Sequence, residues 1–133
     1  MIIDSVNGMR EGLKQLLTNE SRLELAFLIG SRANHTDHKQ SDWDFALQWK
    51  KNLPIMEQLT ATEVLRYKLA KQCGTTDDNI DLINIPNAGL AICEVIANEG
   101  IILKGDNTLA LSHFLLRTWH QVEAFYWDEI YAT

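Results

Sequence analysis

The chain has 133 residues, 46% of them hydrophobic and 23% charged. That suits one domain with a real core, which at this length buries roughly two-thirds of the unfolded surface. Its formal net charge is -6, from 18 acidic against 12 basic residues. A sequence-blind grip on nucleic acid needs a basic surface, so neither that nor direct sequence-specific binding is expected. The opening MIIDSVNGMREGLK has no charged segment followed by an apolar run, and no stretch approaches the length of a membrane span. Two cysteines, Cys73 and Cys93, are too few and too far apart for a disulfide framework or a zinc knuckle. A cytoplasmic protein with reduced thiols is the expectation.

In chain order, residues 4–19 read as a helix that Asp4 or Ser5 can cap, with Met9, Leu13, Leu16 and Leu17 as its apolar stripe. RLELAFLI, residues 22–29, reads as a strand ending at Gly30. Residues 30–41 are polar and aperiodic, a loop. DWDFALQW, residues 42–49, alternates as a strand does: Trp43, Phe45, Leu47 and Trp49 share one face, Asp42, Asp44, Ala46 and Gln48 the other. Pro54 opens a helix to about Cys73, with Gly74 past its end and a stripe including Met56, Leu59, Val64 and Leu65. NIDLINI, residues 79–85, is a third strand stopped by Pro86; a short helix follows over 88–98, then a strand at 101–104. From Thr108 the chain reads as helix nearly to its end. The class is α/β (α+β), a small mixed sheet flanked by helices, in a single domain spanning 1–133.

Asp42 and Asp44 are the anomaly. Asp is disfavoured in strands, and residues two apart point to the same side, where like charges repel. With the apolar face supplying the core, the aspartate face is expected to look away from it, towards solvent or a cleft. Same-face neighbours lie about 7 Å apart at Cα, so the carboxylates can converge on one cation or a close metal pair; a solvated outer face is the alternative. Gly30 and Ser31 stand directly after a strand, where Gly admits close backbone approach and a Ser hydroxyl with backbone N–H groups suits phosphate oxygens. Arg32 follows, a residue that pairs with phosphate.

Gly30-Ser31, ten intervening residues and then Asp42-Trp43-Asp44 resemble the pattern of the nucleotidyltransferase superfamily that includes DNA polymerase β. The fuller strings GSRA and SDWDF most resemble the minimal nucleotidyltransferases, short bacterial antitoxins paired with HEPN-domain ribonuclease toxins. The order of elements agrees with that family over about residues 5–105. The resemblance implies a polymerase β-like fold, with Gly30 and Ser31 on the nucleotide's β- and γ-phosphates. It implies that Asp42 and Asp44 bind Mg²⁺ in a two-metal site, and that Asp81 of NIDLINI is the third carboxylate, accepting the proton of the attacking hydroxyl. Arg32 and Lys39 are further candidates for the nucleotide, although after GSRA the loop reads NHTDHKQ, poorer in Gly and basic residues than the family's usual loop. ATP is the implied substrate, and a cognate HEPN toxin, modified on a hydroxyl such as that of a tyrosine, the implied partner.

His35 and His38, with Asp37, fall short of the three or four ligands of a zinc site and read as polar loop. The C-terminal helix carries Phe114, Trp119, Phe125, Tyr126, Trp127 and Tyr131 nearly all round. It reads either as an aromatic-rich core helix or as one whose outer face docks a partner. A small-molecule nucleotidyltransferase of the aminoglycoside-modifying type is the rival enzyme reading. Such enzymes usually hold the acceptor with a further domain, which about 25 residues beyond the core do not supply. An antitoxin acting by occlusion, without catalysis, is the rival binding reading.

Overall fold

In a computed structural model, residues 2–34 and 42–131 are described. The elements are α1 (Ile2–Thr18), β1 (Leu23–Ile29), α2 (Ser31–Asn34), β2 (Trp43–Trp49), α3 (Ile55–Cys73), β3 (Ile80–Asn84), α4 (Leu90–Glu99), β4 (Ile101–Lys104) and α5 (Leu109–Tyr131). Short 3₁₀ turns at Asp77–Asn79 and Ile85–Asn87 flank β3. The helix-and-strand order follows the sequence pattern, with α2 as an addition. α1 starts at Ile2, ahead of both capping candidates.

The strands form one mixed sheet in the order β3-β2-β1-β4. β1 runs antiparallel to β2 and to β4, while β2 and β3 are parallel. A parallel pair needs a crossover, and α3 is that crossover. α3 stops where Gly74 takes a left-handed φ of 69° and its cap N–H bonds the carbonyls of Ala70 and Lys71, the geometry Gly adopts at no steric cost.

Both faces of the sheet are covered. On one side α1 and α3 bury Leu13, Leu17, Leu65 and Leu69 against Leu28, Phe45, Leu47 and Trp49. On the other, α4 and α5 bury Cys93, Ile96 and Phe114 against Leu25, Phe27, Ile29 and Ala46. β1 lies inside both packings, hence its nearly unbroken apolar run.

The second packing corrects the expectation that the aspartate face of β2 turns away from the core. Ala46 on that face is fully buried, and Gln48 is 8% exposed with its amide donating to Glu24 Oε1 at 2.7 Å. Only the N-terminal end of the face is open. The stripe assigned to α3 is also corrected. Leu65 is buried, but Met56 is 70% exposed, Leu59 58% and Val64 47%. α3 packs instead through Ala61, Leu65, Leu69 and Ala70, small and large residues a turn apart that let it lie close to the sheet. In α1, Leu13 and Leu17 are buried and Met9 and Leu16 half-buried, as its stripe implies.

Candidate active site

The site lies where β1 ends and β2 begins. Asp44 is paired in register with Ile29 on one side and with Asp81 on the other. The parallel ladder therefore sets Asp44 and Asp81 directly side by side on neighbouring strands, about 4.8 Å apart in the hydrogen-bonding direction. Asp44 is half-buried, while Asp42 and Asp81 are exposed. Burial, the charge of Asp81, a hydrogen bond shared with Asp81, and the charge of Asp42 together push the Asp44 carboxyl above its ordinary value of 3.8. Each cause disfavours the ionised form, and the repulsion from Asp81 exceeds that from Asp42, the neighbour that the sequence pairs with Asp44.

Gly30 closes the site from the β1 side. Its φ is +76°, and a Cβ placed on it would lie 2.5 Å from Asp44 Oδ2. The sequence suggests Gly30 as a point of close ligand approach; the structure gives it a second role, leaving room for Asp44. The Gly30 carbonyl accepts from the N–H groups of Ala33, at 3.0 Å, and Asn34, at 3.2 Å. Ser31 thus opens a single helical turn, α2, where the sequence implies loop. Four polar or small residues carry no apolar period, which is why the turn is invisible to periodicity.

Arg32, the next nucleotide candidate, packs on an aromatic ring. Its guanidinium lies 4.4 Å from the centre of the Trp43 ring, and Trp43 stacks on Phe45 with ring centres 6.3 Å apart. Trp43 belongs to the α1/α3 packing, on the strand face opposite Asp42 and Asp44. This contact ties α2 to β2, so Trp43 and Arg32 position the Gly30-Ser31 turn, a pairing that residue spacing does not reveal. On that side, burial pushes the Cys73 thiol up to about 12 despite the opposing charge of Arg32. Lys39, His35, Asp37 and His38 lie outside the described residues.

The three carboxylates offer the hard oxygen donors that suit Mg²⁺. The Asp44 carboxyl, raised by burial and by the charges of Asp81 and Asp42, fits such an ion, which would relieve the repulsion. Among the described residues no group of three acidic, histidine or cysteine side chains is placed to hold a metal ion.

The glycine-serine turn at the end of β1 stands beside Asp44 on β2, with Asp42 just ahead of that strand and Asp81 in register on β3, an arrangement that suits a nucleotidyltransferase. A family model described as "Polymerase beta, Nucleotidyltransferase" matches residues 11–108. The chain belongs to that family. It is 31% identical over 104 residues to the protein adenylyltransferase MntA of Aphanizomenon flos-aquae, covering 76% of this chain and 69% of the relative. It is 28% identical over 94 residues to the MntA of Shewanella oneidensis, covering 70% of this chain and 62% of that relative. The fold is shared with the crystal structure of a toxin-antitoxin with AMP-PNP, at TM-score 0.67 and 23% identity over 87% of this chain and 88% of that one. It is shared too with a complex of tri-AMPylated Shewanella oneidensis HEPN toxin with MNT antitoxin, at TM-score 0.62 and 21% identity, covering 90% and 88%. Among the described residues, no helix is long and apolar enough to cross a membrane.

Proposed function

We propose that this chain is an antitoxin that transfers AMP from ATP to a hydroxyl, a tyrosine's, of a cognate HEPN ribonuclease toxin in the cytoplasm, and so neutralises it. The observation that carries the reading is the Asp44–Asp81 pair set beside the Gly30 turn. The adenylyltransferase relatives and the AMPylated toxin seen with a structural neighbour support it.

In the reaction the acceptor oxygen attacks the α-phosphorus, the bond from that phosphorus to the bridging oxygen breaks, and pyrophosphate leaves. The acceptor's proton goes to Asp81, which is exposed and stands beside Asp44 at the sheet edge. Gly30 and the Ser31 hydroxyl hold the β- and γ-phosphates, which the tight turn allows to approach the backbone closely. Asp42 and Asp44, with Asp81, would hold Mg²⁺, which supplies charge neutralisation at the transferring phosphoryl group. Arg32 steadies this turn through Trp43. Transfer needs the acceptor oxygen about 3–3.5 Å from phosphorus, and docking of the toxin provides that alignment.

The test is intact mass spectrometry of the toxin co-expressed with this chain. The toxin gains one or more AMP units, and Asp81→Asn abolishes the gain while the two proteins still associate. A toxin that is neutralised without gaining mass would overturn transfer in favour of occlusion.

A further inference from the structure

α5 outruns the body of the protein. Its buried residues are Phe114, Thr118 and Val122, four apart on one face, and beyond Val122 every residue through Tyr131 is exposed. The protruding part keeps an ordered aromatic surface: Trp127 and Tyr131, 50% and 70% exposed, stack with ring centres 5.2 Å apart and planes 5° from parallel. Away from the body, Leu109, Leu116, Glu123 and Ile130 recur at seven-residue intervals, as do His113, His120 and Trp127 beside them. Leu109, Leu116, Trp127 and Ile130 are the apolar members of this outer face, interleaved with polar ones, a mixed seam able to take another helix.

The charges of α5 are sorted unevenly along it. Residues 109–121 carry His113, Arg117 and His120 and no acid; residues 122–131 carry Glu123, Asp128 and Glu129 and no base. A helix dipole disfavours acids in the last turn, where Asp128 and Glu129 stand with no base beside them. Arg117 and Gln121 also line a cleft of about 520 Å³ with Lys51, Gln58 and Asn84. Among the described residues no carboxylate lines it, although acids outnumber bases in the chain 18 to 12. At its rim Ile55 is 69% exposed.

We propose that α5 pairs antiparallel with α5 of a second copy about a two-fold axis, laying the acidic, aromatic half of each helix along the Arg117–Lys51 side of the other. A two-fold interface must be self-complementary, residue i meeting j as j meets i. One helix with Arg117 and no acid in its first half, and acids alone among its charges in its second, meets that condition with its own copy. Antiparallel pairing opposes the two dipoles and sets Glu123 and Asp128 against Arg117, compensating the acidic end that is unfavourable in a single helix. It also covers Trp127 and Ile130, aromatic and aliphatic anchors of the kind that interfaces bury. Pairing is independent of whether the chain transfers AMP.

The purified full chain is examined by sedimentation velocity and light scattering between about 1 and 100 µM, a range that reports micromolar dissociation constants. A doubled mass is expected, returning towards the single mass as salt is raised. Arg117→Glu weakens association at least about tenfold, the loss of one good charge pairing. Combining it with Glu123→Arg and Asp128→Lys restores association. Because Arg117 also lies 6.0 Å from the Phe114 ring, Trp127→Ala, remote from that contact, is the second probe and is expected to give monomers with unchanged helicity. A wild-type chain that stays monomeric throughout overturns the proposal, including when the acceptor protein proves to cover α5. Equal association of Arg117→Glu and its charge-restored form overturns it too.

Discussion

Replacing Asp44 with Asn removes one charge from a cluster of three and leaves a group of the same shape that can still hydrogen-bond Asp81. Two unit charges about 5 Å apart repel by roughly 0.8 kcal/mol in water and by more where the dielectric is lower. Asp44 is half-buried, but its neighbours Asp42 and Asp81 are exposed, so solvent screens the cluster. Relief of about 0.5–1 kcal/mol is the expected net gain. For a chain of this size that raises the melting temperature by about 2–4 °C. The sign depends on pH. The Asp44 carboxyl is raised above 3.8 in the fold, by burial first and by Asp81 next, so the folded state binds its proton more tightly than the unfolded one. Wild-type stability from this group is fully present below pH 3.8 and is lost as pH rises through the raised value. The advantage of Asp44→Asn is therefore largest at neutral pH and vanishes on acidification. Mg²⁺ should reverse the order, because an ion that binds the folded wild type stabilises it by mass action and finds a weaker site in the variant. Calorimetric melting at pH 7 and near pH 4, with EDTA and with Mg²⁺, measures all of this, and AMP transfer should fall to background. A variant that melts several degrees lower at pH 7 in EDTA, or that transfers AMP at the normal rate, would refute the reasoning.

Gly30→Ala should cost about 1–2 kcal/mol from its left-handed φ alone, and the added Cβ would drive Asp44 aside, so transfer should fall further than stability; melting and turnover measured on the same sample separate the two. Ala46→Leu should lose about 1–3 kcal/mol by overpacking the fully buried α4/α5 side of β2, readable by urea denaturation; no loss would mean that this face is open. Cys73, with its thiol pushed up to about 12 by burial, should resist alkylation by iodoacetamide at pH 8 in the native protein and react once the chain is unfolded, as peptide mass mapping would show. Ser31→Ala should weaken binding of a non-hydrolysable ATP analogue modestly by calorimetry, since the backbone of the turn remains.

Much of the site could be read from local pattern because its chemistry is local. Asp42 and Asp44 stood out as like charges of a strand-disfavoured residue on one face of an alternating segment, and Gly30-Ser31 stood out by following an apolar strand, each within a few residues. The strands and the long helices were likewise carried by alternation, by apolar periodicity and by Pro54 and Gly74 as start and stop. Pairing between strands is not local. Only the parallel register of β2 and β3 put Asp81 beside Asp44, across the whole of α3. The same holds for burial. Ala46 and Gln48 share a face with Asp44 and could equally have met water, until α4 and α5, more than 40 residues on, covered them. Met56, Leu59 and Val64 fell at plausible helical spacing, yet Ala61 and Ala70 let α3 settle on another side. Sequence by itself determined the strands and the long helices, and which residues bear charge, because those depend on neighbours along the chain. The tertiary structure decided which carboxylates meet, which face of each element is dry and how Gly30 makes room for Asp44, because those depend on contacts between segments remote in sequence.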